Sequence, residues 1–190
     1  MGKVFLIGAG PGAPDLITVR GAEILRRADI VLHDALVHPD TLALAAKAQK
    51  VAVGKRCSRL STDQRFINRS LVEAARKHDI VVRLKGGDPM LFGRAQEEIG
   101  ALQDAGIAFE VVPGVTSALA AAAEIGVSLT RRGLSRSVTL ATPRIGAGEE
   151  ATDWTLDLGH GGTAVLYMGV GQAPQIAATL LDRGLSPQTP

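Results

Sequence analysis

The sequence predicts an α/β protein built on a mostly parallel sheet, and three observations predict it. Short apolar, β-branched runs recur along the 190 residues, helical patterns alternate with them, and two of the runs end in glycine-rich turns. Val4–Ile7 is the first strand, followed at once by Gly8-Ala9-Gly10-Pro11-Gly12. Thr18 then caps a helix that sets Val19, Ala22, Leu25 and Ala28 along one face. Ile30–His33 is the second strand, Pro39 opens a helix from Asp40 to Lys47, and Val51–Val53 is the third strand. Ser61-Thr62-Asp63-Gln64 is a capping box, with Ser61 at the N-cap and Gln64 at N3, and its helix runs to Lys77. Ile80–Leu84 is the fourth strand. A helix from Gly93 to Asp104 follows, stopped by Gly106, and Phe109–Val112 is the fifth strand.

Val112-Pro113-Gly114 breaks the alternation and sets a domain junction near Pro113 to Thr116. The two expected domains are 1–114 and 115–190. The second holds an Ala-rich helix from Thr116 to Glu124, a strand Val138–Ala141, a loop Thr142–Gly162, a strand Thr163–Tyr167 and a helix Pro174–Arg183. A crossover of this kind calls for a returning strand, and Gly184 to Pro190 supplies only a polar turn. The second domain therefore reads as incomplete. No internal repeat stands out.

Composition narrows the function. Hydrophobic residues make up 46% and charged residues 21%, values of a globular chain. Aromatics are only 3%, which argues against a stacking surface for single-stranded nucleic acid. A net charge of +2, with Lys and Arg spread along the chain, argues against a DNA-binding face but leaves room for a local basic cleft. The one cysteine, Cys57, can form no internal disulfide and favours a reducing, cytoplasmic compartment. No apolar run is long enough for a membrane span. His33 and His38 flank a strand end without metal-ligand spacing, so no metal site is expected.

Two motifs carry chemistry. In the first turn, Gly8, Gly10 and Ala13 satisfy the dinucleotide fingerprint, and Asp34 at the end of the second strand sits where a ribose-binding acid would. Against that, Pro11, Pro14 and Asp15 separate the turn from its helix, whereas a dinucleotide turn opens its helix directly. A structural tight turn and a different cofactor site both remain open. The second motif is Arg83-Leu84-Lys85-Gly86-Gly87-Asp88-Pro89, leading to Met90-Leu91-Phe92-Gly93-Arg94. Paired glycines let a ligand approach the backbone, and Asp88 can accept a hydrogen bond. Parallel strands deliver their C-terminal ends to one edge, so Pro11, Asp34 and Gly87 are expected to line one crevice.

Together with Val53-Gly54-Lys55-Arg56, Val111-Val112-Pro113-Gly114-Val115-Thr116-Ser117 and Tyr167-Met168-Gly169, these motifs resemble the tetrapyrrole methylase family from the first strand to Pro190. The resemblance implies two α/β domains with a cofactor cleft between them, and a homodimer. It implies S-adenosylmethionine as cofactor, leaving as S-adenosylhomocysteine, and C-methylation of uroporphyrinogen III at C-2 and C-7 to precorrin-2. A later precorrin is the alternative tetrapyrrole substrate. By the same resemblance Pro11, Gly86, Gly87, Asp88, Leu91, Thr116, Ser117 and Met168 match cofactor contacts, and Asp34 and Lys55 match acid–base positions. Arg56, Lys85 and Arg131 are the expected partners of the substrate's acidic rim. The chain departs from the family pattern at Ser58 and Leu60, and at Pro143-Arg144 after the strand Val138–Ala141, both on the expected substrate side.

Overall fold

A computed structural model describes residues 1–54, 64–146, 150, 153–155, 158 and 162–189. The expected capping residues Ser61 to Asp63 lie outside these. The chain divides into two compact units, Met1–Ala121 and Ala122–Pro190. This division and the expected boundary after Gly114 differ by Val115 to Ala121, a stretch that takes in the start of α5 (Ser117–Glu124).

The first unit holds β1 (Lys3–Gly8), β2 (Ile30–His33), β3 (Gln49–Ala52), β4 (Ile80–Lys85) and β5 (Phe109–Val112). They form one all-parallel sheet of order β3-β2-β4-β1-β5. In register, Gly8 lies opposite Lys85, Ile7 opposite Val112, and His33 opposite both Leu84 and Ala52. All five strands therefore end at the same edge.

Side chains alternate between the two faces of the sheet, and each face has its own core. On one face Ile7, Val31, Val82, Leu84 and Val112 pack with Leu25 of α1 (Val19–Arg26) and with Val37 and Ala45, which flank α2 (Pro39–Ala43). On the other, Val4, Leu6, Ile30, Leu32 and Val81 pack with Ile67 and Leu71 of α3 (Gln64–Lys77) and Ile99 and Leu102 of α4 (Ala95–Asp104). The chain leaves β1 by way of α1 and leaves β4 by way of α4, on opposite faces. Adjacent strands whose connections part in this way open a crevice at their C-terminal ends.

Local chemistry sets the element limits. Thr18 caps α1 as expected, its hydroxyl accepting from the Gly21 N–H at 3.1 Å. α2 stops at Ala43, short of the expected Lys47. Beyond it the Leu44, Ala45 and Ala48 N–H groups bond to the carbonyls three residues back, and the tightened chain buries Ala45. β3 begins at Gln49, earlier than expected, because this edge strand is largely solvent-facing and carries little apolar signal. α4 starts at Ala95, not Gly93, because Phe92 and Arg94 hold left-handed backbone (φ 50° and 54°). Between β1 and α1 the chain makes a single 3-10 turn, Pro14–Leu16. The glycine turn therefore does not open a helix, which removes the dinucleotide reading of the first motif.

The second unit contains a parallel pair, β6 (Val138–Ala141) and β7 (Thr163–Leu166), with Val138 opposite Thr163. A 3-10 turn, Val170–Gln172, leads into α6 (Ala173–Asp182), whose Ile176 is buried. The strand β6 falls where the sequence predicts it. No helix among the described residues is long and apolar enough to cross a membrane.

Candidate active site

The sheet edge is built first from backbone. Gly10 and Gly87 exchange both hydrogen bonds, Gly87 N–H to Gly10 O at 2.7 Å and Gly10 N–H to Gly87 O at 3.3 Å. Gly8 and Gly114 pack so closely that a Cβ on Gly8 would lie 2.5 Å from Gly114 Cα and 2.6 Å from Gly87 O. Three loops thus meet with no room for side chains, which is why the sequence supplies glycine in each. Asp88 closes the assembly: one carboxylate oxygen accepts from the Gly114 N–H at 2.9 Å and the other from the Met90 N–H at 2.8 Å. On its other side the junction is bare. Gly87 has φ +70°, and a Cβ there would meet no atom of the described residues within 4 Å; the same holds at Gly12, φ +150°. Bare, left-handed backbone beside a crevice lets a ligand approach the main chain itself.

Beside this backbone lies a charged cluster. Asp34 follows β2, and its Oδ1 accepts from Arg83 Nη2 at 2.6 Å. Arg83 Nε donates to Glu98 Oε1 at 2.9 Å, and its Nη1 donates to Leu84 O at 3.3 Å. Lys85 Nζ lies 3.0 Å from both Glu98 oxygens. Gln64 Nε2 donates to Glu98 Oε1 at 3.3 Å. Glu98 is 0% exposed and Arg83 2%, whereas the Asp34 side chain is 29% exposed. Burial, and then the neighbouring Arg83 guanidinium, push the Lys85 ammonium below its ordinary value; Glu98 and Asp34 pull it back up. Asp34 alone of the four reaches the surface. Its Oδ2 makes no hydrogen bond to a described residue.

The expected site residues distribute as follows. Pro11, Gly86, Gly87, Asp88 and Asp34 come together on loops at one sheet edge, half-buried. Leu91 follows in the same loop as Asp88, to whose carbonyl its N–H donates at 3.4 Å. Thr116 and Ser117 follow Gly114, and the Thr116 carbonyl accepts from the Leu119 N–H to start α5. Met168 belongs to the second unit and is exposed, with left-handed backbone (φ 59°). Arg131 is also in the second unit and exposed, its backbone bridged to Ser135. Lys55 and Arg56, with Ser58 and Leu60, lie outside the described residues. Lys85 requires a correction. Expected among the substrate contacts, it is buried with its ammonium on Glu98, which takes it away from a substrate carboxylate.

Two members of the cluster, Arg83 and Glu98, went unread as site residues. The signal was present. Arg83 and Lys85 are two cations on one face of a strand that is otherwise apolar, a pattern that demands a buried acid. Glu98 lies on the same face of α4 as Ala95, Ile99 and Leu102, all buried.

With this geometry in hand, comparison with known proteins decides the family. Residues 3–190 match the Tetrapyrrole (Corrin/Porphyrin) Methylases. The chain belongs to the tetrapyrrole methylase family. Among curated relatives it is 46% identical over 190 residues to a siroheme synthase of Chromobacterium violaceum and 45% identical to one of Pseudomonas aeruginosa. It is covered completely in both matches but spans only 40% and 41% of those proteins. Among solved structures it is similar to the native uroporphyrin III C-methyl transferase of Thermus thermophilus, at 44% identity and a TM-score of 0.85. That match covers 98% of this chain and 79% of the other. The same enzyme complexed with S-adenyl homocysteine matches at 41% identity and a TM-score of 0.83, over 98% and 74% of the two chains. A cobalt precorrin-4 methyltransferase matches at 32% identity and a TM-score of 0.81, over 97% and 76%. The α/β fold with its parallel sheet is thus that of the family.

Proposed function

We propose that this chain transfers methyl groups from S-adenosylmethionine to C-2 and C-7 of uroporphyrinogen III, giving precorrin-2. The observation that carries this reading is the conjunction at one sheet edge of bare glycine backbone with a partly exposed carboxylate, Asp34, held by Arg83. The likeness to the Thermus thermophilus enzyme and its S-adenyl homocysteine complex supports it. The edge fits such a cofactor: Gly12 and Gly87 leave main chain open to close approach, and Asp88 fixes the loops that would hold it. By the family resemblance we assign Pro11, Gly86, Gly87, Asp88, Leu91, Thr116, Ser117 and Met168 to cofactor binding.

When bound, S-adenosylmethionine supplies an electrophilic methyl group with a leaving group already positively charged. The donor needs little activation, so the protein's work is placement and care of the pyrrole. A carboxylate against the sulfonium would stabilise the ground state more than the transition state, so Asp34 belongs on the substrate side. There its Oδ2, to which no described residue donates, accepts a pyrrole N–H while positive charge grows on that ring, or takes the proton lost after methylation. Arg83 holds Oδ1 and keeps the group aimed at the edge. Lys55 and Arg56 are assigned to proton movement and to the acidic rim of the substrate, with Arg131 as a further rim contact.

We further assign the chain to the cytoplasm as a homodimer, on the strength of its single cysteine and its family; light scattering tests the second assignment. Incubation with S-adenosylmethionine and separately with uroporphyrinogen III and a later precorrin, with mass analysis, tests the substrate. Methylation of the later precorrin alone would move the chain to the branch of the cobalt precorrin-4 enzyme.

A further inference from the structure

We infer that Glu98 is a positioning residue for methyl transfer, acting through Arg83 to fix the Asp34 carboxylate at the sheet edge, with Lys85 completing the charge balance. The inference rests on the assignment of Asp34 to the reaction. It adds a residue buried in the core, at 0% exposure, that touches neither cofactor nor substrate.

The cluster is hard to explain by stability alone. Burying charges costs several kcal/mol per ion before pairing, and well-packed apolar groups often do as well or better. α4 otherwise presents Ala95, Ile99 and Leu102 on this face, so an apolar residue at position 98 would continue the core. What an acid provides there is direction. Arg83 is held by its Nε to Glu98 and by its Nη1 to Leu84 O, which leaves Nη2 aimed at Asp34. A guanidinium is a rigid planar fork, so fixing two of its nitrogens fixes the third. Charge accounting points the same way. Arg83, Lys85 and Glu98 together carry one surplus positive charge in the core, and Asp34 neutralises it at the boundary with solvent. Gln64 is a third donor to Glu98 and is itself tied to Asn68 at 3.1 Å, so α3 braces the acid.

The test is a set of variants of the full chain: Glu98→Gln, Arg83→Lys, Glu98→Gln with Lys85→Met, and Glu98→Gln combined with Asp34→Asn. Glu98→Gln should lower kcat by ~10- to 10²-fold, the scale of a misplaced reacting group, while S-adenosylhomocysteine affinity stays within ~2-fold. Arg83→Lys keeps the charge but can hold only one carboxylate, and should fall to the same extent. Restoring charge balance with Lys85→Met should recover thermal stability without recovering kcat. In the Asp34→Asn background, Glu98→Gln should have no further effect on kcat, since it acts through the carboxylate already removed. Additive losses in that double variant, or full recovery of kcat by charge balance alone, overturn the inference. If the wild-type chain leaves uroporphyrinogen III unmethylated, the substrate assignment falls, and the carboxylate carbon resonance of Asp34 decides this inference separately. It should shift in both Glu98→Gln and Arg83→Lys; a resonance unmoved in both would show that neither residue holds Asp34.

Discussion

The two faces of the first unit's sheet solve the same packing problem differently. Facing α1 and α2, the buried strand side chains are apolar, among them Ile7, Val31, Val82 and Leu84, and polar ones on this face, Lys3, His33 and Glu110, are only partly buried. Facing α3 and α4, they begin as apolar, with Val4, Leu6, Ile30 and Val81, and then turn ionic: Arg83 and Lys85 end β4 against Glu98. The first face can be accounted for by burial alone. The second places its charges only at the end of the strands where Asp34 and the glycine loops lie. Charge in this core thus points to the C-terminal edge, where we propose the site.

Four measurements break or sharpen this contrast. The largest effect belongs to the apolar face. Leu25→Ala removes a fully buried side chain and should cost ~2–5 kcal/mol in urea unfolding, with kcat per folded molecule unchanged. A fall in kcat of the folded fraction would show that this face also serves the chemistry. Next, Asp34→Asn should lower turnover by ~10²-fold or more, the scale of a lost acid–base group, while leaving S-adenosylhomocysteine affinity within a few-fold. Unchanged turnover removes Asp34 from the mechanism, and a collapse of affinity moves it to the cofactor.

The third measurement compares two glycines. Gly87 and Gly106 have similar left-handed backbone, φ +70° and +65°, and open space where a Cβ would stand. Alanine at either should cost ~1–2 kcal/mol of stability from backbone strain. Only at Gly87 should S-adenosylhomocysteine affinity fall beyond the loss of folded protein, since only that glycine borders the crevice. Equal binding by the two variants in calorimetry would take Gly87 out of the cofactor site.

The smallest effect is a pH dependence. The folded Lys85 ammonium titrates below its ordinary value of 10.5, chiefly through burial. Between the lowered value and 10.5 the unfolded chain binds more protons at this group than the folded one does. Stability from Lys85 therefore rises with pH across that window and levels off above it. The difference in unfolding free energy between wild type and Lys85→Met should follow this slope. A difference that is flat with pH, or falls, would mean that the ammonium is not desolvated.

Much of this was legible in the sequence where one physical cause dominates. Ile30–His33, Phe109–Val112 and Val138–Ala141 are short apolar strands with clear ends, and their limits agree with the structure. β3 was misplaced because an edge strand carries polar residues, and α4 started late because left-handed Phe92 and Arg94 leave no mark in hydrophobic periodicity. The glycine edge was legible because close backbone approach admits no other residue. The ionic cluster was not, since it joins residues 34, 83, 85 and 98 through the tertiary fold. Lys85 was assigned to the substrate on its neighbourhood in sequence. Strand alternation turns its side chain to the α4 side, where Glu98 holds it.

The most direct test of the account is methyl incorporation. The chain is incubated with S-adenosylmethionine bearing an isotopically labelled methyl group and with uroporphyrinogen III under reducing conditions, and the tetrapyrrole is analysed by mass. The account predicts a product carrying two labelled methyl groups, with S-adenosylhomocysteine formed in step. Recovery of unlabelled uroporphyrinogen III from a folded chain that binds S-adenosylhomocysteine would contradict it.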